Sequence, residues 1–160
     1  MRRSAALLAF RRHGGDPEVL IGHMGGPFWG RKDASAWSIP KGEILADEDP
    51  LHAAQREFSE EIGLLPPDGE VIELGQYRQP GGKVITAFAV EGDIDLAEFH
   101  SNLFDLEWPP RSGRIQQFPE LDRAAWIPID EAADKVVRGQ VPILERLKES
   151  LATVRSWPEI

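Results

Sequence analysis

The chain has 160 residues, of which 27 are acidic and 18 basic, and none is cysteine. The lack of cysteine excludes thiolate nucleophiles and cysteine-ligated zinc or iron–sulfur centres. The net charge of −9 argues against the broad basic surface that binds nucleic acid polymers, so we expect no such polymer as a partner.

The first predicted element is a β-strand at residues 4–12, although two arginines and an apolar run at the start could suggest a signal peptide. The run covers only residues 5–10, shorter than a usual signal-peptide core, and no small-residue cleavage site follows it. No segment reaches the length of a membrane span. We therefore expect no contact with a membrane and a cytoplasmic location.

Alternating apolar and β-branched residues predict further strands at residues 18–23, 71–78, 83–90 and 124–128. Gly14, Gly15 and Asp16 predict a hairpin turn between the first two strands. The region from residue 93 to residue 122 is predicted to be a long loop, and loops of that length are more often functional than idle.

The clearest helix is predicted to begin at Asp49 and Pro50, an N-cap acceptor followed by proline, and to end at Gly63. A second helix is predicted over residues 130–137. A third begins at Pro142 and carries an apolar stripe of Ile143, Leu144, Leu147 and Leu151. This order of elements indicates an α+β fold in which a sheet lies between helices, an α/β/α sandwich, and we expect a single domain over residues 1–160.

The helix after Asp49 combines an apolar stripe with a cluster of glutamates. At 100° per residue the stripe consists of Leu51, Ala54, Phe58 and Ile62 and is predicted to face the core. Glu57 and Glu61 lie beside this stripe, and Glu60 falls near Arg56, so three carboxylates occupy one side of two turns. A solvated acidic surface is the usual explanation for such a cluster, and other residues must decide between it and a functional site.

Those other residues form a pattern that runs from Gly42 to Leu64. Its positions read G-x5-E-x7-R-E-U-x-E-E-x-G-U, where U is bulky and apolar, and its fixed residues are Gly42, Glu48, Arg56, Glu57, Glu60, Glu61 and Gly63. At average composition such a match occurs by chance in under about one chain in a million. The pattern is that of the Nudix box, and the chain resembles the Nudix hydrolase family.

This resemblance implies the Nudix fold, an α/β/α sandwich with a mixed β-sheet, and hydrolysis of a nucleoside diphosphate linked to another moiety. It implies Mg²⁺, or Mn²⁺ as a substitute, bound by Glu57, Glu61 and Glu60, with the Lys41 carbonyl as a backbone ligand. Carboxylate oxygens are the ligands that suit Mg²⁺. Arg56 is expected to orient Glu60 or a neighbour, and Glu48 to brace the loop or the arginine.

The family places its general base either in the box or on a later loop, so the motif does not assign it. Outside the box, Glu120 is the first candidate because its spacing resembles the later acidic element of the family. Glu107 is the second candidate.

The residues before the box are candidates for substrate binding. Arg31, Lys32 and Lys41 could pair with phosphates, and Trp29 could stack on a base, as could Phe28 and Tyr77. More remote cations are Arg78, Lys83, Arg111 and Arg114. Trp37 and Trp126 are predicted to lie in the core, and the histidines, which lack metal-ligand spacing, to be structural or exposed.

Two local resemblances point to different substrates. The entry to the box, WSIPKGE, is similar to that of Nudix enzymes acting on dinucleoside polyphosphates and diphosphoinositol polyphosphates. The segments GGPFW and EWPPRSGR resemble a bacterial subgroup of predicted NTP pyrophosphohydrolases. The leading hypothesis is a pyrophosphohydrolase acting on a small nucleotide, with an NTP or dinucleoside polyphosphate first and an ADP-ribose-like or diphosphoinositol compound as the alternative. An inactive nucleotide-binding module is the competing function, and the oligomeric state stays open.

Overall fold

The structure is a computed structural model that describes residues 2–155, with the backbone alone for residues 153–155. This part of the chain contains nine strands: β1 Arg3–Arg11, β2 Glu18–Met24, β3 Trp37–Ser38, β4 Lys41–Glu43, β5 Val71–Arg78, β6 Val84–Glu91, β7 Leu103–Glu107, β8 Ile115–Pro119 and β9 Leu121–Pro128. It also contains three α-helices: α1 Pro50–Ile62, α2 Ile129–Lys135 and α3 Val141–Arg155. Short 3-10 turns cover Leu96–Glu98 and Arg138–Gln140.

Seven of these strands form one mixed sheet. Its main path is β3-β2-β1-β6-β5, while β4 pairs with β1 and β9 pairs with β2. Strands β1 and β6 are parallel and the other pairs are antiparallel. The central strand β1 is buried on both faces, which is why its sequence is a continuous apolar run.

Helices cover both faces of the sheet. The side chains of β1 alternate, so Ala5, Leu7 and Ala9 pack against α1, and Leu8 and Phe10 pack on the side of α2 and α3. The predicted stripe of α3, Ile143, Leu144, Leu147 and Leu151, is buried in this second layer. The α/β/α sandwich with a mixed sheet is confirmed.

Helix α1 begins and ends where the sequence predicts. The side chain of Asp49 accepts hydrogen bonds from the N–H groups of Leu51 and His52, and Gly63 ends the helix with a φ of 77°. The buried positions are Ala53, Ala54, Phe58 and Ile62, whereas Leu51 is only partly buried. Because Ala53 also packs inward, the buried face of α1 is wider than the predicted stripe.

The region between residues 93 and 122 differs from the predicted loop. It contains the 3-10 turn at Leu96–Glu98 and a two-stranded sheet, β7-β8, in which Leu103 pairs with Pro119 and Glu107 with Ile115. The prediction of a long loop was wrong here, because prolines and polar residues concealed the alternation of Phe104, Leu106 and Trp108.

Within residues 2–155, no helix is long and apolar enough to cross a membrane.

Candidate active site

Four of the predicted site glutamates, Glu57, Glu60, Glu61 and Glu120, line one cavity of about 370 Å³. The cavity is lined by Lys41, Gly42, Glu43, Glu57, Glu60, Glu61, Asn102 and Glu120. Strand β4 contributes the first three, α1 the three box glutamates, and the two ends of the β7–β8 hairpin the last two. Residues that are far apart in sequence are thus gathered around one acidic space.

The pairing of β4 with β1 sets the distance between β4 and α1. Lys41 lies opposite Ala6 and Gly42 opposite Ala5, and α1 packs on the same part of β1. A Cβ at Gly42 would lie 2.0 Å from the carboxyl carbon of Glu57. The glycine at this position is therefore what admits the Glu57 carboxylate to the cavity wall.

Glu61 has the most perturbed carboxyl group of the cavity. Burial raises its pKa to about 8, against the opposing effects of the Lys41 charge and of a hydrogen bond from the Lys41 N–H to Oε1 at 3.2 Å. The nearby carboxylates of Glu120 and Glu57 raise it further. A carboxyl group in this state is ready to exchange its proton for a cation, because a cation removes the penalty for its charge.

Arg56 connects the box residues to one another. Its Nε and Nη2 atoms donate to the two carboxylate oxygens of Glu48, and its Nη1 donates to Glu57 at 2.8 Å and more weakly to Glu60 at 3.3 Å. Nη2 also donates to the Glu43 carbonyl. The expected orienting role of Arg56 is consistent with these contacts, although Glu57 receives the shorter bond and not Glu60.

Glu48 braces both the loop and the arginine. Besides the two bonds from Arg56, it accepts a hydrogen bond from the Leu45 N–H at 3.0 Å. The bonds from Arg56 and this N–H lower the pKa of Glu48 to about 2. Burial raises the pKa of Glu57 despite the bond from Arg56. The two carboxylates thus differ: Glu48 is fixed as an anion by the arginine, and Glu57 faces the cavity.

Of the two candidates for a general base, the structure brings only Glu120 to the cavity. Its N–H donates to the Asn102 carbonyl at 2.7 Å, and the Asn102 N–H donates to the Glu60 carbonyl at 3.0 Å. Glu107 lies at the other end of β7, where its carboxylate accepts a bond from the Arg111 N–H. Glu120 is therefore placed next to the box, and Glu107 is not.

Asn102 is a cavity residue that the sequence does not reveal. No motif marks it, and it lies inside the segment predicted to be a loop. Its position depends on the pairing of residues 100–102 with the end of α1, where the His100 N–H also donates to the Ile62 carbonyl at 3.0 Å. Only the tertiary structure brings this amide side chain among the carboxylates.

The donor set of the cavity fits a hard divalent cation. It offers carboxylate oxygens from α1, and Mg²⁺ is usually held by one or two carboxylates while several of its ligands remain water. In the described residues, no three acidic or histidine side chains converge closely enough to form a finished metal cage. Carboxylate oxygens are thus the ligands that the side chains of this cavity can offer to such an ion.

The predicted substrate-binding residues separate into two groups. Lys41 lines the cavity, whereas Trp29, Arg31 and Lys32 belong to the segment before β3 and are not among its lining residues. Trp29 packs partly against the core, with the Lys32 ammonium 5.3 Å from the centre of its ring. Their role in substrate binding stays a prediction.

The other aromatic residues have distinct surroundings. Trp37 is 5% exposed and belongs to the core, as predicted. Trp126 packs partly against the core, and its Nε1 donates to the Ile94 carbonyl. The hydroxyl of Tyr77 donates to the Leu74 carbonyl, so it is occupied within the sheet. Phe28, in contrast, is 55% exposed.

The four histidines do not gather around a site. His23 is buried, with Nδ1 2.8 Å from an Asp122 oxygen and Nε2 2.6 Å from the Lys32 carbonyl, which is a structural role. His13, His52 and His100 are exposed.

The fold and the box are shared with known proteins. The sequence model of the NUDIX domain family matches residues 1–147 of this chain. The chain belongs to the NUDIX family. The predicted family is confirmed, and the predicted enzyme class agrees with the pyrophosphohydrolases among its relatives. The extension of one domain over residues 1–160 stays a prediction.

Relatives with known names support the same family. The RNA pyrophosphohydrolase of Francisella tularensis subsp. tularensis (strain WY96-3418) is 46% identical over 55 residues, which are 34% of this chain and 36% of that protein. The match thus spans about a third of the relative's length. The counterpart from Francisella philomiragia is also 46% identical over 55 residues.

Solved structures share the fold at low sequence identity. The Ap4A hydrolase of C. elegans, in a binary complex, has a TM-score of 0.61 and 17% identity, with 94% of this chain and 98% of that chain covered. The NUDIX domain of Shewanella oneidensis NrtR, complexed with ADP ribose, has a TM-score of 0.61 and 18% identity, with 93% and 87% covered. The likeness to these structures shows the fold.

Proposed function

We propose that this chain is a metal-dependent pyrophosphohydrolase that cleaves a phosphoanhydride bond in a nucleoside diphosphate linked to another moiety. An NTP or a dinucleoside polyphosphate is the substrate that we favour. The observation that carries the proposal is the cavity in which Glu57, Glu60 and Glu61 meet Glu120. A merely solvated acidic surface would have no reason to bury Glu61 so deeply that its pKa rises to about 8.

The residues that would hold Mg²⁺, or Mn²⁺ in its place, are Glu57, Glu60 and Glu61, with the carbonyl of Lys41. When bound, such an ion supplies charge neutralisation on the phosphate oxygens and a water of lowered pKa. Arg56 would hold the Glu57 carboxylate in place, since it donates to Glu57 while Glu48 fixes the guanidinium from the other side. A carboxylate held in this way is already in position to bind the cation, so its side chain does not have to move when the cation binds.

Glu120 is the residue that we propose as general base. It lines the same cavity as the box glutamates but lies on a different element, and its carboxylate is close enough to Glu61 and Glu57 to raise their pKa values. A carboxylate opposite the box can accept a proton from the attacking water. Comparison of Glu120→Gln with Glu107→Gln tests this role, and the larger loss of kcat is expected for Glu120→Gln.

A group of cations beside the cavity supports a substrate with several phosphates. Lys83 precedes β6, whose Val84 N–H donates to the Arg2 carbonyl at 3.1 Å. Burial lowers the pKa of Lys83, and the charges of Lys41 and Arg2 lower it further while those of Glu43 and Glu57 oppose them, so the three cations and two carboxylates lie near one another. Cations that repel one another in this way are stabilised by a polyanion, and a polyphosphate is such a polyanion.

The relatives name more than one nucleotide. The curated relatives are RNA pyrophosphohydrolases, and the solved structures include an Ap4A hydrolase and a NUDIX domain bound to ADP ribose. All of these compounds contain a phosphoanhydride bond. They support a small nucleotide or a nucleotide terminus as ligand, with an ADP-ribose-like compound as the alternative substrate. The diphosphoinositol alternative rests on the WSIPKGE entry to the box alone.

One screen tests the proposal against the inactive module. Phosphate release would be measured with Mg²⁺ for NTPs, dinucleoside polyphosphates, ADP-ribose and diphosphoinositol polyphosphates. Turnover of one class that is lost in Glu57→Gln supports the enzyme. If no class turns over but Mg²⁺ with a nucleotide raises the melting temperature, the chain is a nucleotide-binding module, because only native-state binding stabilises in this way.

A further inference from the structure

The β7–β8 hairpin extends directly from the wall of the glutamate cavity. Asn102 and Glu120 line the cavity and also flank the base of the hairpin, where the Glu120 N–H donates to the Asn102 carbonyl at 2.7 Å. From Asn102, the strand runs to Trp108 at the far end, a distance of roughly 20 Å at about 3.3 Å per residue. The hairpin therefore extends away from the cavity by roughly 20 Å.

Residues 25–32 pack along the hairpin. The Gly25 N–H donates to the Glu120 carbonyl at 3.0 Å, and a Cβ at Gly26 would lie 3.2 Å from the ring of Phe104. Further along, the rings of Phe28 and Trp108 meet with centroids 5.2 Å apart and planes at 78°. We call residues 25–32 together with residues 103–119 the arm.

The two rings at the end of the arm are not core residues. Phe28 is 55% exposed, and Trp108 is partly exposed. Rings at nearly a right angle form a corner, in which a flat group can stack on one ring and touch the edge of the other. Exposed aromatic rings of this kind bind nucleobases by stacking.

The charge of the arm differs from that of the whole chain. The acidic residues of the arm are Asp105 and Glu107, both in β7, whereas residues 25–32 and 108–119 contain none, although the chain has 27. These two segments contain Arg31, Lys32, Arg111 and Arg114, and within residues 2–155 none of these four forms an ion pair with an acidic side chain. Residues 25–32 and 108–119, the part of the arm around Phe28 and Trp108, thus form a basic and aromatic surface on an acidic protein, which complements a ligand that has bases and phosphates.

We infer that the arm binds a second nucleobase of the substrate, at the corner formed by Phe28 and Trp108, while Arg111 and Arg114 contact phosphates nearby. This inference rests on the proposed function. A mononucleotide whose phosphoanhydride lies at the cavity glutamates has its base one ribose away from its phosphates, too short a distance to reach Trp108. A second nucleoside, joined through further phosphates, can reach it. A dinucleoside polyphosphate and a 5′-triphosphorylated dinucleotide both have this chemistry.

The test compares three probes: ATP, diadenosine tetraphosphate and a 5′-triphosphorylated dinucleotide. The expected result is that Trp108→Ala lowers the ratio of kcat/KM for a two-base probe to kcat/KM for ATP by about tenfold or more, through KM. Trp108→Phe should restore most of the ratio because it keeps a stacking face. The probe whose ratio falls identifies the source of the second base. Leu65→Ala, at a side chain that is 83% exposed, is the control and should leave the ratio as it is.

An unchanged ratio in Trp108→Ala, or an equal loss for all three probes, overturns the inference. If Trp108→Ala fails to fold, Phe28→Ala gives the same test, because that ring is 55% exposed. Calorimetric titration with a diadenosine tetraphosphate whose bridging oxygens are replaced by methylene groups separates the two proposals. If this ligand binds through Trp108 but no probe is turned over, the proposed hydrolase function is refuted and binding of a second base by the arm is supported. If probes are turned over but binding does not depend on Trp108, the hydrolase function is supported and the role of the arm is refuted.

Discussion

The guanidinium of Arg56 donates two hydrogen bonds to the carboxylate of Glu48, from Nε to Oε2 at 2.8 Å and from Nη2 to Oε1 at 2.9 Å. Glu48 precedes α1 and Arg56 lies in its second turn, so this pair fastens the incoming loop to the helix. The remaining nitrogen, Nη1, is thereby directed to Glu57. The position of a cavity carboxylate thus depends on a pair that lies outside the cavity.

Arg56→Lys should reduce activity without unfolding the protein. A lysine keeps the charge but cannot donate to Glu48 and Glu57 at once, because it lacks the fork of the guanidinium. Loss of a group that orients a metal-binding carboxylate costs about 10- to 100-fold in activity or metal affinity. Steady-state kinetics with a magnesium titration would measure this loss. Activity equal to that of the unmodified protein would show that Glu57 needs no such support.

Glu57→Gln and Glu61→Gln should each lower kcat/KM by orders of magnitude. Both changes preserve shape and helix propensity but remove the charge that the cation requires. The melting temperature should not fall, since crowded carboxylates on one side of a helix repel one another. Glu131→Gln, on the exposed surface of α2, is the matched control for a lost glutamate charge. If the two box variants turn over as fast as this control, the assignment of the active site is wrong.

Gly42→Ala should impair activity much more than stability. The added Cβ would lie 2.0 Å from the Glu57 carboxyl carbon, and the end of that flexible side chain can move away. The carboxylate then leaves its place in the cavity wall, so the magnesium requirement should rise and kcat should fall. Gly15→Ala is the control, since nothing lies within 4 Å of its Cβ position. A large loss of melting temperature in Gly42→Ala alone would indicate that the backbone moves instead of Glu57.

The stability of the metal-free protein should fall as the pH rises from about 5 to about 8. The pKa of Glu61 is raised from 4.5 to about 8 in the folded chain, so between these values the folded state holds a proton that the unfolded state has released. Folding is then favoured by protonation, and the contribution of Glu61 is lost as the pH passes through its folded pKa. In chelator, the free energy of unfolding would be measured with urea at several pH values. It should fall less steeply with rising pH in Glu61→Gln than in the unmodified protein. An equally steep fall with pH in the variant and in the unmodified protein would contradict the burial of this carboxyl group.

Chelation should abolish turnover and leave the fold intact. The core is built from two apolar layers on the sheet and needs no cation, whereas the carboxylates of the cavity cannot bind a polyphosphate by themselves. Far-ultraviolet circular dichroism and activity would be followed while EDTA is added and Mg²⁺ is then returned. Unfolding by EDTA would make the cation structural, and full turnover in EDTA would refute its role in the reaction.

Several features of this protein are determined by sequence alone. The seven fixed residues of the box identify the family, and Asp49, Pro50 and Gly63 define α1 because capping is a local property of the backbone. The apolar runs of β1 and α3 predict buried elements, since periodicity reports which faces meet a core. Local chemistry of this kind needs no knowledge of distant residues.

Other features were decided only by the tertiary structure. The sequence offered both Glu120 and Glu107 as bases, and hydrogen bonds from residues 100–102 to the end of α1 bring only Glu120 to the cavity. The same contacts add Asn102, which no motif marks. The pKa of Glu61 and the need for glycine at position 42 likewise arise from packing between α1 and β4. These properties depend on which long-range contacts form, and a pattern that repeats every two or four residues has no information about them.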